Sequence, residues 1–166
     1  MKTLNVLIFP AGTEIGLEIH QALKNCKEVK LFGAGQKISN HAKFIFEPYH
    51  EISSIYSDTW LQELSNLCIE LKIDYIFPAY DDVIVALSQN KSLIPATIIA
   101  PTTEICEITR SKLQTYKYLK NLVRTPEIFA NPFDVKEFPV LIKPDKGQGS
   151  FGVKKINSME ELVTNL

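Results

Sequence analysis

Leu4-Asn5-Val6-Leu7-Ile8-Phe9-Pro10-Ala11-Gly12-Thr13-Glu14-Ile15-Gly16 decides how the first part of the chain folds. Leu4 to Phe9 is a near-continuous apolar run, the pattern of a strand buried on both faces. Pro10 to Thr13 breaks the run. A helix follows, with Ile15, Ile19, Ala22 and Leu23 expected on one inward face and Thr13 as its N-cap. Strand, tight turn and helix together open a parallel α/β unit.

The same rhythm continues downstream. Lys27 to Gly33 reads as a second strand, residues 33–40 as a loop, and Lys43 to Phe46 as a short strand ending at Pro48. Leu61, Leu64, Leu67, Cys68 and Leu71 recur at helical spacing and predict a helix over 57–72. Asp74 to Phe77 is a further buried strand, and Pro78-Ala79-Tyr80 turns into a helix from about Asp81. Thr97 to Ala100 makes a fifth strand, stopped by Pro101. Strands alternating with helices imply a parallel sheet with right-handed crossovers, hence a Rossmann-like domain over 1–107.

Beyond Pro101 the pattern changes. A helical stretch runs from about Glu104 to Leu122, interrupted near Arg110. Residues 126–129, 139–143 and 153–156 read as three strands, with no long helix between them. Antiparallel pairing is therefore expected in a second segment, 108–166. Ser158 to Glu161 fits a capping box opening a last helix.

Composition bounds the function. The chain has 166 residues, 45% hydrophobic and 22% charged, enough for a globular core. The net charge of −1 gives no support for nucleic-acid binding. Its distribution is uneven: Met1 to Thr109 carries 8 lysines and 13 acidic residues, whereas Arg110 to Leu166 carries 10 basic and 6 acidic ones. The basic second part favours an anionic ligand. No apolar run approaches the ~20 residues of a membrane span. The first apolar run is too short for a signal-peptide core, so no membrane association and a cytoplasmic location are expected. Cys26, Cys68 and Cys106 lack metal-ligand spacing and are read as buried small hydrophobes. His20, His41 and His50 form no metal pattern with acidic residues.

The chemistry concentrates in Leu141-Ile142-Lys143-Pro144 and the loop Asp145-Lys146-Gly147-Gln148-Gly149-Ser150-Phe151-Gly152. Gly147, Gly149 and Gly152 allow backbone amides to approach an anion, Ser150 adds a hydroxyl, and Lys143 and Lys146 add positive charge. This suits a cover for a polyphosphate. No Gly-Lys-Ser/Thr opens a helix here, and a strand follows the loop, so neither a Walker loop nor a dinucleotide fingerprint is present. A plain glycine-rich hairpin is the competing reading. The turn Gly12-Thr13-Glu14-Ile15-Gly16 lacks the third glycine and the earlier Gly-x-Gly, which disfavours an oxidoreductase. Asp81 and Asp82 suit the positive end of a helix, and a substrate contact at the sheet edge is the alternative.

Phe138-Pro139-Val140-Leu141-Ile142-Lys143-Pro144, the loop to Gly152 and Val153 resemble the ATP-grasp superfamily. The helix Ser111-Lys112-Leu113-Gln114-Thr115-Tyr116-Lys117-Tyr118-Leu119 and the turn Thr125-Pro126 resemble the same family, although Ser111 stands where it often has Asp. The chain is most similar to the ATP-binding part of the carbamoyl-phosphate synthase large subunit and its short relatives. The resemblance is specific from Lys112 to Val153 and weak before it. It implies that Lys112 and Lys143 contact the nucleotide, and that Gly147 to Gly152 close over its phosphates. It further implies ATP and Mg2+ as cofactors, and small-molecule carboxylate and amine substrates. The adenine hinge, the acidic magnesium ligands and an acceptor-binding arginine would lie on a second lobe, supplied in cis or in trans. On this reading the chain is the front part of a ligase and is not expected to be active by itself. A homo-oligomer is compatible with it. The rival reading is a non-catalytic nucleotide- or metabolite-binding module.

Overall fold

The computed structural model describes residues 2–166, which form two compact units, one reaching to Glu107 and the other Ile108–Leu166. The first unit is a five-stranded parallel sheet with helices on both faces, and the second is built on a two-stranded antiparallel hairpin. No helix of the described residues is long and apolar enough to cross a membrane.

In the first unit the chain runs β1 (Leu4–Phe9), α1 (Glu14–Leu23), β2 (Val29–Gly35), β3 (Tyr49–Glu51), α2 (Trp60–Glu70), β4 (Tyr75–Pro78), α3 (Asp81–Gln89) and β5 (Thr97–Ile98). The strand order is β3-β2-β1-β4-β5, all parallel. Successive side chains of a strand point to opposite faces, so β1 feeds two cores. Leu7 and Phe9 join Trp60, Leu64, Val83 and Leu87 from α2 and α3. Ile8 joins Ala11, Ala42, Phe46 and Ala79, with Ile19 of α1 against them. Leu7, Ile8 and Leu64 are fully buried, each burial being worth about 1.5–3 kcal/mol.

Several local expectations are corrected. Lys43 to Phe46 is not a strand: His41–Phe44 is a 3₁₀ turn capped by Asn40, and the third strand starts only at Tyr49. The Phe46 ring takes the place a side chain on Gly33 would fill, within 2.4 Å of a Cβ there, and this packing draws 41–46 onto the sheet instead of into it. On α1, Ile15 and Ala22 face solvent, and Gly16 is the buried contact. A Cβ on Gly16 would lie 2.7 Å from the Ala11 carbonyl oxygen, so the helix presses its glycine to the turn and rotates Ile15 outward. The helix expected over 57–72 is shorter, because residues 57–59 form the turn before α2. Cys26 is exposed, while Cys68 and Cys106 are buried and burial pushes the Cys68 thiol up to about 12.

Helix α4 (Thr103–Arg110) carries the chain into the second unit, where α5 (Lys112–Leu119), β6 (Val140–Ile142), β7 (Lys154–Ile156) and α6 (Met159–Thr164) follow. β6 and β7 pair antiparallel, Val140 with Ile156 and Ile142 with Lys154. Val140 and Ile142 pack against a small core of Val135, Ile156 and Leu162, and Leu141 between them is exposed. Residues 126–129 are not a strand, since no neighbouring backbone pairs with them. The capping box is half formed: Ser158 accepts from the Glu161 amide, but the Glu161 carboxylate takes the Asn157 amide at 2.8 Å instead of that of Ser158.

Candidate functional site

The second unit holds a cleft of about 580 Å³ whose walls come from α5, the 126–135 segment and β6 with its continuation to Asp145. Ile128, Phe129, Val140 and Ile142 make it largely apolar. Lys112 and Lys143 both line it, so two residues 31 positions apart by number meet on one surface.

Lys112 is the first residue of α5. Ser111 caps that helix, its hydroxyl accepting from the Gln114 amide, so serine supplies here the cap that an aspartate can equally supply. The Lys112 ammonium donates to the backbone carbonyls of Asp145 and Gly147, each at 3.2 Å. Lys143 directly follows β6, and its ammonium donates to the Tyr116 hydroxyl and stands 4.8 Å from the Tyr116 ring centre. Both cations are therefore held by neutral groups. Among the described residues no carboxylate forms an ion pair with either.

Asp145 organises the loop's root. Its carboxylate accepts from the Leu113 amide at 2.8 Å and from the Ser111 hydroxyl at 2.8 and 2.9 Å. These hydrogen bonds, that of Leu113 foremost, hold its carboxyl below the usual carboxylate range, with Lys146 and Lys112 adding their charge. Neither Asp145 nor Tyr116 was assigned a role from the sequence. Asp145 carries a weak signal, an acidic residue two positions beyond a strand-end lysine, whereas Tyr116 carries none apart from its helix.

The remaining candidates sit on the hairpin loop and do not line the cleft. Lys146, Gly149, Ser150 and Gly152 are exposed, and Gly147 is half-buried. Gly149, Ser150 and Gly152 have φ of 58, 59 and 73°, left-handed values that glycine adopts freely and serine does not. Turn hydrogen bonds from Phe151 to Gln148 and from Val153 to Ser150 close the loop on itself. Phe151, at its tip, is 86% exposed. Among the described residues no group of three or more His, Cys, Asp or Glu could hold a metal ion.

No protein-family profile matches the sequence, and no curated protein matches it. Solved structures do match its fold. The biotin carboxylase domain of the Hydrogenobacter thermophilus 2-oxoglutarate carboxylase, solved with MgADP, ADP and bicarbonate, aligns with 99% of this chain and 40% of its own, at TM-score 0.71 and 19% identity. The N5-carboxyaminoimidazole ribonucleotide synthetase of Thermotoga maritima aligns over 99% of this chain and 43% of its own, at TM-score 0.66 and 18% identity. The L-amino acid ligase of Bacillus licheniformis aligns over 98% and 41%, at TM-score 0.63 and 14% identity. The chain spans about two-fifths of the length of these proteins. The five-stranded parallel unit and the antiparallel hairpin unit thus share the fold of the matching two-fifths of these enzymes.

Proposed function

We propose that this chain is the nucleotide-binding front part of an ATP-dependent ligase. The observation that carries the reading is the pair Lys112 and Lys143, two ammonium groups on one apolar cleft that form no ion pair with a carboxylate among the described residues. A cleft of about 580 Å³ is in the ordinary range for a small-molecule site. Its apolar wall suits a flat base, and its two cations suit the phosphates. Lys143 is fixed at a strand end by Tyr116, and Lys112 by the loop carbonyls, so both charges are placed before an anion arrives. On this reading Lys146, Gly147, Gly149, Ser150 and Gly152 form a cover whose backbone amides and added charge turn toward the phosphates.

Among the described residues no group of three or more His, Cys, Asp or Glu gathers, and on this reading the carboxylates that hold Mg2+ stand on a second lobe, in cis or in trans. Exposed Leu141, Phe151, Val153 and Leu166 give such a lobe apolar surface to cover. The ligase would act in the cytoplasm. Bound ATP would supply the phosphoryl group that activates a small carboxylate for transfer to an amine, while the chain's own lysines orient the phosphates and offset their charge.

A second reading, a non-catalytic metabolite-binding module, draws on a separate cleft in the first unit, at the carboxyl edge of its sheet. Calorimetric titration with ATP, NAD and ADP-ribose separates the two. Saturable ATP binding that weakens in both Lys112→Ala and Lys143→Ala supports the ligase reading. ATP binding indifferent to both variants overturns it.

A further inference from the structure

Helix α5 is held to the second unit without burying a side chain of its own. Its start is tied to Asp145, and Tyr116 meets Lys143, yet none of its eight residues is buried. Its outward side carries Lys117 and Tyr118, and the turn that follows adds Lys120, Leu122, Val123 and Arg124, all exposed. Tyr118 is 58% exposed and Leu122 72%. No acidic residue occurs between Lys112 and Pro126. Among the described residues none of these three cations forms an ion pair. The result is a basic face with apolar side chains among the charges.

Helix α1 of the first unit presents the opposite character. Gly16 presses inward, which leaves Glu14, Ile15, Glu18, Gln21 and Ala22 exposed along one stripe. Glu14 and Glu18 stand one turn apart, beside Ile15, and neither forms an ion pair among the described residues. Lys24 and Lys27 come only after the helix has ended. The same opposition holds for the sequence at large, which is acidic to Thr109 and basic from Arg110.

We infer that the outer face of α5 docks on the α1 stripe of a second copy of this chain. Tyr118 and Leu122 would pack on Ile15 and Ala22, while Lys117 and its neighbours would face Glu14 and Glu18. Charge decides the geometry. A symmetric pairing of α5 with α5, or of α1 with α1, would set like charges against each other, so the contact is heterologous, head to tail. One helix face on another is small beside the ~800 Å² per partner of stable complexes, so the association is weak and depends on concentration and salt. The inference does not depend on the nucleotide reading of the second unit.

The test is sedimentation equilibrium of the full chain from micromolar to millimolar concentration. The wild type self-associates, and more salt weakens it. Glu18→Lys and Lys117→Glu each weaken it about threefold to tenfold. Both positions are exposed, so the variants keep the fold, which circular dichroism checks. An equimolar mixture of the two variants associates like the wild type, because each supplies the face that the other has lost. Ile15→Ser and Tyr118→Ser weaken association with every charge in place. Any of three results overturns the inference: a monomer at all concentrations, self-association untouched by both charge reversals, or losses that mixing does not restore.

Discussion

The Ser111 hydroxyl donates to the Asp145 carboxylate at 2.8 Å across 34 residues of sequence. One hydroxyl therefore does two things, capping α5 through the Gln114 amide and tying the root of the glycine-rich loop to that helix. An aspartate at 111 would cap the helix but could not donate to a second carboxylate. The serine and Asp145 thus work as a pair.

Asp145→Ala should loosen this root and expose the Leu113 amide. The expected cost to the second unit is about 0.5–1 kcal/mol, the low end for a helix cap, because Asp145 is largely exposed. The sign of the pH effect follows from its lowered carboxyl. Stability from Asp145 is present above the ordinary value of 3.8 and is lost as pH falls below it through the folded value. Thermal unfolding of the wild type and Asp145→Asn between pH 6 and 3 should converge at the acid end. A constant gap down to pH 3 would count against it.

Lys143→Ala should weaken ATP far more than it weakens folding. A charge-assisted hydrogen bond is worth about 1.5–3 kcal/mol, or roughly tenfold to a hundredfold in affinity. Tyr116→Phe keeps the ring beneath the ammonium and loses only the hydroxyl, so it should give a smaller loss in the same direction. A large fall in melting temperature with unchanged affinity would mark Lys143 as structural.

The loop glycines should not be equivalent. At Gly152 the backbone is left-handed and a Cβ would meet the Pro144 side chain at 2.9 Å. Gly152→Ala should therefore cost about 1–2 kcal/mol or more. At Gly147 a Cβ would sit at an ordinary 3.7 Å from Pro144, and Gly147→Ala should stay within about 0.5 kcal/mol of wild type. Denaturant midpoints of the two variants, compared side by side, decide the matter, and equal losses would contradict the loop geometry.

His20 should make the first unit sensitive to mild acid. Its Nδ1 is buried without a partner, and its ring stands edge-on to Phe46 at 5.2 Å. Burial, and then the charge of Lys24, lowers its affinity for a proton below the ordinary 6.5. The unfolded chain thus takes up the proton first, so stability is complete above pH 6.5 and falls as pH drops through the folded value. The lowered carboxyls of Glu63 and Asp74 act only below their ordinary 4.5 and 3.8, which leaves the window between pH 6.5 and 5 to histidine. His20→Leu should flatten the melting temperature over that window, as followed by circular dichroism. An unaltered slope would mean that another group titrates there.

What could be read in the chain and what could not divides along one physical line. The apolar run Leu4 to Phe9, the cap at Thr13, the helical spacing of Leu64, Leu67 and Cys68, and the break between Arg110 and Lys112 are local matters. Neighbouring residues decide them, and from them the alternating α/β pattern and the hairpin of β6 and β7 follow. Contacts between distant residues decided the rest. Phe46 became a lid on Gly33 instead of part of a strand, because a ring that fills the space above a glycine gains more than an unpaired edge would. Residues 126–129 have strand composition but no partner, and pairing is a property of two segments, not one. Ile15 turned outward because Gly16 had to touch the Ala11 carbonyl. At the site, the residue types of Lys112 and Lys143 were plain, but their meeting on one cleft, and the hold of Tyr116 and Asp145 on strand end and loop root, exist only once α5 lies against the hairpin. Sequence determines which groups can carry charge and which backbone can bend, whereas their mutual distance is set by the packing of the chain as a whole.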